Sequence, residues 1–162
     1  MRANMLVVGM ADLKAARVPM ALTTLGLGSC VGIALYDHLN KVAGLAHVML
    51  PDSTQIQNNS NIAKFVDTAT IKLLDDMLKL GAKKTLIRAK LAGGAQMFNF
   101  DSKNDSMRIG DRNVEASMRI LRKLAIPIIA QETGANFGRT VELYAEDGKF
   151  VIKTIGHGTF AI

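Results

Sequence analysis

Tryptophan is absent from this 162-residue chain, tyrosine occurs twice and cysteine once. A single Cys excludes a disulfide framework within the chain, and no Cys/His spacing fits a structural zinc site. The redox setting this implies is cytosolic, with Cys30 left as a free thiol. Long apolar runs are missing as well. Nothing approaches the ~18 consecutive apolar residues of a membrane span, so membrane insertion is not expected. The run Met5–Ala11 is short, meets Asp12 and lacks a small-residue cleavage pattern, so it reads as a first strand and not as a targeting segment. Repeats, low-complexity tracts and linkers are absent, and residues 1–162 read as one domain. No HxxxH or carboxylate cluster suggests a metal. Gly26-Leu27-Gly28 lacks the third glycine and helix of a dinucleotide site, and there is no Walker lysine. The expectation is a protein with neither cofactor nor metal.

What is present is the composition of an ordinary soluble globular protein, 49% hydrophobic and 21% charged. A chain of this length hides roughly 68–70% of its unfolded surface, enough for a core without staples. The formal charge of +6 is concentrated: residues 64–123 hold thirteen Lys/Arg against seven Asp/Glu, and the rest of the chain cancels. A basic region of this kind meets nucleic acid, a membrane surface or an acidic protein, or is simply a solvated face. Aromatics within it (Phe65, Phe98, Phe100) are too few for a base-stacking platform, which argues against nucleic acid.

Apolar patterning places strands at Met5–Met10, Leu22–Leu27, Val31–Tyr36 and Val42–Met49, the last two joined by the polar loop Asp37–Lys41 as an antiparallel hairpin. Ile62, Val66, Ala69, Leu73, Met77 and Leu80 recur at helical spacing, with Gly81 as a C′ glycine and good N-capping residues at the end of the loop 52–61. Thr85–Leu91 alternates like a half-buried strand and ends at Gly93-Gly94. Asp111 is placed to cap a second helix carrying Val114, Ser117, Leu121 and Leu124, with Pro127 beyond it. Ile126–Gln131, Thr140–Tyr144 and Phe150–Ile155 complete the strands. Many hairpin strands with two helices give an α/β layered sandwich of mixed, largely antiparallel sheets with a few flanking helices, without the alternating pattern of a doubly wound fold.

The densest chemical signal is Thr24-Leu25-Gly26-Leu27-Gly28-Ser29-Cys30, followed seventeen residues after the Cys by His47. A lone Cys is more often an inert core residue than a nucleophile. Here, however, glycines allow a tight turn that brings backbone N–H groups near the thiol, as an oxyanion hole requires. Pairing the hairpin about a loop centred on Leu39 sets Cys30 opposite residue 48, within one position of His47. A thiol beside an imidazole suits nucleophilic acyl transfer, with the imidazole lowering the thiol pKa and taking its proton. Donors around Gly28 and Ser29 would hold the oxyanion, and Thr24 is a candidate to orient the imidazole. Thr133 and Arg139 are further candidates to line the site. Gly93-Gly94-Ala95 reads as a structural turn, and His38 and His157 as solvent-facing side chains.

The run Thr24–Cys30, with Gly44-Leu45-Ala46-His47-Val48-Met49-Leu50-Pro51, resembles the chemoreceptor glutamine deamidases, the CheD family. The resemblance continues through Asp67-Thr68-Ala69, Ala92-Gly93-Gly94-Ala95, Met97-Phe98, Gly110, Arg112-Asn113-Val114-Glu115-Ala116 and Glu132-Thr133-Gly134. It departs from the family at Phe65, where a Tyr is common, and is weak in the tail 156–162. It implies a cytoplasmic enzyme that hydrolyses glutamine side chains of methyl-accepting chemoreceptors to glutamate and ammonia. The nucleophile, the His and the third active-site residue then fall on Cys30, His47 and Thr24. It also implies a sandwich fold related to glutamine-deamidating toxins, and substrates that are Glu-rich helical bundles. A further implied partner is CheC, a phosphatase of the phosphorylated response regulator CheY. Two other readings remain open: a non-catalytic adaptor binding receptors and a CheC-type phosphatase, and a cysteine protease, which needs the same dyad.

Overall fold

Residues 31–37 and 42–48 are apolar on both faces, and a strand of that kind must be covered on both sides. The computed structural model, which describes residues 4–97 and 108–162, meets that demand with three layers. Phe98 and Phe100 lie outside the described residues. Among those described, the strands are β1 (Asn4–Val7), β2 (Asp12–Arg17), β3 (Met20–Leu27), β4 (Val31–Asp37), β5 (Val42–Val48), β6 (Ile87–Gly93), β7 (Ile128–Thr133), β8 (Arg139–Tyr144), β9 (Phe150–Thr154) and β10 (Gly158–Ala161). Helix α1 spans Val66–Lys79 and α2 spans Ile109–Lys123.

The central layer is a sheet in the order β2-β5-β4-β6-β7, and the outer sheet runs β1-β3-β8-β9-β10. Pairing is antiparallel except for β1–β3 and β6–β7. The α/β sandwich of mixed, largely antiparallel sheets expected from the sequence is the fold observed. One βαβ unit, β6–α2–β7, is embedded in it. One face of the central sheet (Val31, Ile33, Leu35, Val48) packs with Val66, Leu73 and Met77 of α1 and Leu121 of α2. Its other face (Cys30, Ala34, Leu45, Ala92) packs on Leu22, Val141, Leu143, Phe150 and Ile152 of the outer sheet. That outer sheet has one face in solvent, which is why β8 alternates buried and part-exposed residues while β4 and β5 do not.

Differences from the sequence reading have local causes. Strand β2, DLKAAR, was not foreseen because alanines and charges are poor strand formers; pairing with β5 overrides that preference. Strand β10 likewise occupies what the sequence presents only as a tail, and it is an exposed edge held by β9. Ile62 does not join the buried face of α1. It sits exposed in a 3-10 turn, Ile62–Lys64, capped by Asn61, and the α-helix begins after Phe65. Gly81 follows the helix with φ +100°, as a C′ glycine should. Helix α2 starts at Ile109, so Asp111 lies in its first turn and not at its cap.

Candidate active site

The hairpin β4–β5 decides which side chains meet. Its ladder pairs Val31 with Val48, Gly32 with His47 and Asp37 with Val42. Continued by one step, this register sets Cys30 across from Met49, not residue 48. The difference matters because a one-residue slip exchanges the two faces of a strand. In the expected register His47 would have pointed away from Cys30. In the observed one both lie on the face turned to the outer sheet, as diagonal neighbours. The cause is the turn. Asp37 is the last residue of β4, and its carboxylate accepts from the N–H groups of Leu39 and Asn40, both at 3.0 Å, so the loop closes one half-step later than a centre on Leu39.

His47 is fully buried and Cys30 is 8% exposed. His47 Nδ1 lies 2.6 Å from Thr24 Oγ1, which reaches across from β3 of the opposite sheet. The Thr24 hydroxyl donates its single proton to the Val8 carbonyl at 2.7 Å. Thr24 therefore accepts from His47, Nδ1 carries the proton, and Nε2 presents a lone pair. That Nε2 is buried with no hydrogen-bond partner among the described residues. Thr24 shares the inward face of β3 with buried Leu22 two residues before it. A bulge then follows, as the register of Thr24 with Val141 gives way to Leu27 with Arg139, and turns Leu27 inward as well.

Cys30 sits at the mouth of β4, in a loop gripped from behind by Gly93 and Gly94. Gly94 N–H donates to the Cys30 carbonyl and Ala95 N–H to the Gly28 carbonyl, both at 2.8 Å. Gly93 has φ +102°, and a Cβ there would collide with the Cys30 carbonyl oxygen, so the close approach requires glycine. The Gly28 N–H is engaged by the Gly26 carbonyl at 3.0 Å. The N–H groups of Ser29 and Cys30 have no backbone partner among the described residues. No Cys30–His47 hydrogen bond forms among them either, and the electrostatics run against the expectation that the imidazole lowers the thiol pKa. Burial pushes the Cys30 thiol up, opposed by its own backbone N–H, and burial pushes the His47 imidazole down. The resting pair is neutral thiol and neutral imidazole.

Thr133 ends β7 on the rung paired with Gly93, part-exposed and beside the turn that grips Cys30. Arg139 is buried, pairs with Glu132, donates to the Gly134 carbonyl at 3.0 Å and lies over the Phe137 ring. His38 and His157 are exposed, and His157 stacks on Phe137. Two participants carried no assigned role in the sequence. One is the Val8 carbonyl. The other is Asn113, fully buried on α2, whose Nδ2 donates to the carbonyls of Ser29 and Met49. The signals for it are a polar Asn on the apolar face of a helix and its place in the resemblance run Arg112–Ala116, neither of which gives its role.

A thiol, an imidazole held in one tautomer whose Nε2 has no partner among the described residues, and backbone N–H groups beside the sulfur are the equipment of thiol-based acyl transfer. Among the described residues, no cluster of three His, Cys, Asp or Glu could hold a metal, and no helix is long and apolar enough to cross a membrane.

Comparison with known proteins gives the family. A family model described as CheD chemotactic sensory transduction matches residues 49–154. The probable chemoreceptor glutamine deamidase CheD of Caldanaerobacter subterraneus subsp. tengcongensis is 56% identical over 98% of both chains. That of Lachnoclostridium phytofermentans is also 56% identical, over 94% of this chain and 95% of its own. The chemoreceptor glutamine deamidase CheD of Halalkalibacterium halodurans is 51% identical over 93% and 94%. The chain belongs to the CheD family. Among solved structures, the Bacillus licheniformis hypothetical protein YfiH superposes with a TM-score of 0.48 and 14% identity over 77% of this chain. This chain spans about half of that protein (51%), a likeness too slight to build on.

Proposed function

We propose that this protein is a chemoreceptor glutamine deamidase working through Cys30, His47 and Thr24. The observation that carries the proposal is the hydrogen-bond chain Val8–Thr24–His47, which leaves a buried Nε2 lone pair, without a partner among the described residues, on the face shared with Cys30. His47 Nε2 takes the thiol proton as Sγ bonds to the carboxamide carbon of a substrate glutamine. The oxyanion that develops is met by the N–H groups of Ser29 and Cys30. His47 then hands its proton to the nitrogen, the C–N bond breaks, and ammonia leaves a thioester behind. Water, deprotonated by His47, attacks the thioester carbon and releases glutamate and the thiol. Thr133 lines the entry. Keeping both partners neutral at rest suits this order, because the proton moves only when a carbonyl is there to be attacked.

The three layers act as a single working domain in the cytoplasm, with methyl-accepting chemoreceptors as substrate and a CheC-type phosphatase as partner. An adaptor would gain nothing from an imidazole buried with one nitrogen unsatisfied, an arrangement that is unfavourable for stability. Burial also speaks against a protease. A fully buried imidazole and a nearly buried thiol suit a slim side-chain carboxamide better than a main-chain peptide bond. The test is to incubate the purified protein with receptor fragments and follow Gln-to-Glu conversion by mass spectrometry together with ammonia release. Conversion lost in Cys30→Ala supports the proposal; no conversion by well-folded wild type, or peptide cleavage in its place, overturns it.

A further inference from the structure

Strands β4 and β5 part company one rung before Cys30: the last pair is Val31 with Val48. Beyond it the Met49 N–H turns away to the Lys64 carbonyl at 2.8 Å. The gap is filled from α2. Asn113 Nδ2 donates to the Ser29 carbonyl at 3.0 Å and the Met49 carbonyl at 2.9 Å, so both its protons are used, one on each strand. The helix that carries it is locked in place. Gly110 lies so close to the carbonyls of Gly94 and Ala95 that a Cβ would collide with them.

Asn113 Oδ1, by contrast, is buried with no hydrogen-bond partner among the described residues. A residue kept for stability alone would be apolar or satisfied at both ends, and a half-satisfied buried amide in a native protein calls for another reason. The donors supply it. With the strands wedged apart, the Ser29 N–H has no partner among the described residues, while the Cys30 N–H turns to its own thiol.

We propose that Asn113 is a positioning residue: its carboxamide wedges the β4–β5 ladder open beside Cys30, keeps the Ser29 N–H out of the ladder and fixes the offset between Cys30 and His47. This rests on the reading of Cys30 and His47 as the working pair. It touches no substrate and acts only through the two strand ends it holds.

In Asn113→Ala and Asn113→Ser, kcat for glutamine conversion is expected to fall about 10- to 100-fold with KM nearly unchanged, since displacing a reacting group by about an ångström has effects of that size. The pH midpoint of Cys30 alkylation should move in the same variants, a change that a merely structural tie would not cause. A folded Asn113→Ala protein with wild-type kcat and an unmoved alkylation profile overturns the proposal. Wild-type protein gives a second test that needs neither a variant nor turnover. The amide temperature coefficient of Ser29 should be steep, as for an N–H without an acceptor, while that of Ile33 is shallow. A shallow value at Ser29 overturns the proposal even if the variants fail to fold. A steep coefficient and a moved alkylation profile in a protein that converts no glutamine would uphold the wedge and sink the assigned reaction.

Discussion

The two ends of the β4–β5 hairpin are built in opposite ways. At the turn, the buried Asp37 carboxylate accepts from Leu39 N–H and Asn40 N–H at 3.0 Å, and from Asn40 Nδ2 and Lys83 N–H at 2.8 Å. At the open end, His47 Nε2 and Asn113 Oδ1 are buried and have no partner among the described residues. The strands are the same and the burial is comparable, so neither accounts for the contrast. A satisfied polar group specifies a geometry, whereas an unsatisfied one costs stability and calls for a reason other than folding. The ends are also linked. By closing the turn at Asp37 and Val42, the carboxylate sets the register that puts Cys30 and His47 on one face.

Removing the thiol should separate the ends most sharply. Cys30→Ala is expected to lower glutamine conversion by about 10⁴-fold or more, because the bond-forming atom is gone and free N–H donors cannot replace it. Its stability should change by no more than about 1 kcal/mol, since one small, nearly buried atom is lost beside a loop. Conversion and chemical denaturation measured on the same preparation check both halves. Retained conversion in a folded protein would remove Cys30 from the mechanism.

The opposite signature is expected at the turn. Asp37→Asn replaces an acceptor facing Asn40 Nδ2 and Lys83 N–H with a donor, and should cost about 2–3 kcal/mol. For a chain of this length that is a fall in Tm of about 5–10 °C. The kcat of the folded fraction should stay within about threefold of wild type. A larger loss of kcat at unchanged Tm would mean that the turn tunes the site directly.

How much of this contrast is legible in the sequence depends on the range of the forces involved. The loop around Cys30 declares itself, because Gly26, Gly28 and Cys30 are adjacent and their chemistry is local. The strands β4 and β5 follow from their own apolar residues. Asp37 reads as a loop residue, and only its four hydrogen bonds, one of them from Lys83, make it the anchor that sets the register. Pairing parity cannot be read to within one residue from the centre of a polar loop, and one residue decides which face His47 takes. Thr24 reads only as a candidate to orient the imidazole, sharpened by the resemblance, since its contact with His47 crosses between two sheets. Asn113 acts on Ser29 and Met49, 84 and 64 residues away, and no local pattern carries that.

Acid should act on the two ends in different pH windows. Burial holds the His47 imidazole below its ordinary pKa of about 6.5, so the unfolded chain binds its proton first. Stability contributed by neutral His47 is therefore present above about pH 6.5 and declines as pH falls below it toward the folded-state value. At Asp37, burial works upward but is outweighed by the hydrogen bonds from Asn40, Lys83 and Leu39, so the carboxyl stays below its usual range. Its contribution is present above the unfolded value of about 3.9 and lost as pH falls through the lower folded value. Unfolding free energy against pH should thus show two separate declines. His47→Gln should remove the one near neutrality and Asp37→Asn the acid one. A single decline unaffected by His47→Gln would mean that the imidazole is protonated in the folded protein.

The smallest effect expected is electrostatic steering, and it too should favour one end. The outer face of α2, the helix that brings Asn113 to the open end, exposes Arg112, Arg119, Arg122 and Lys123. Lys83 and Lys84 are equally exposed but stand near the Asp37 turn. If an acidic receptor docks at the open end, Arg112→Gln with Arg119→Gln should lower kcat/KM on a receptor fragment about two- to fivefold at low salt, mainly through the association rate. Lys83→Gln with Lys84→Gln, an equal change in net charge, should leave it nearly unchanged. Added salt should erase the difference, because charges separated by more than about 8–10 Å are screened at physiological ionic strength. Equal losses in both pairs would show that only net charge matters, and no loss in either would make the basic stretch 64–123 a solvated face.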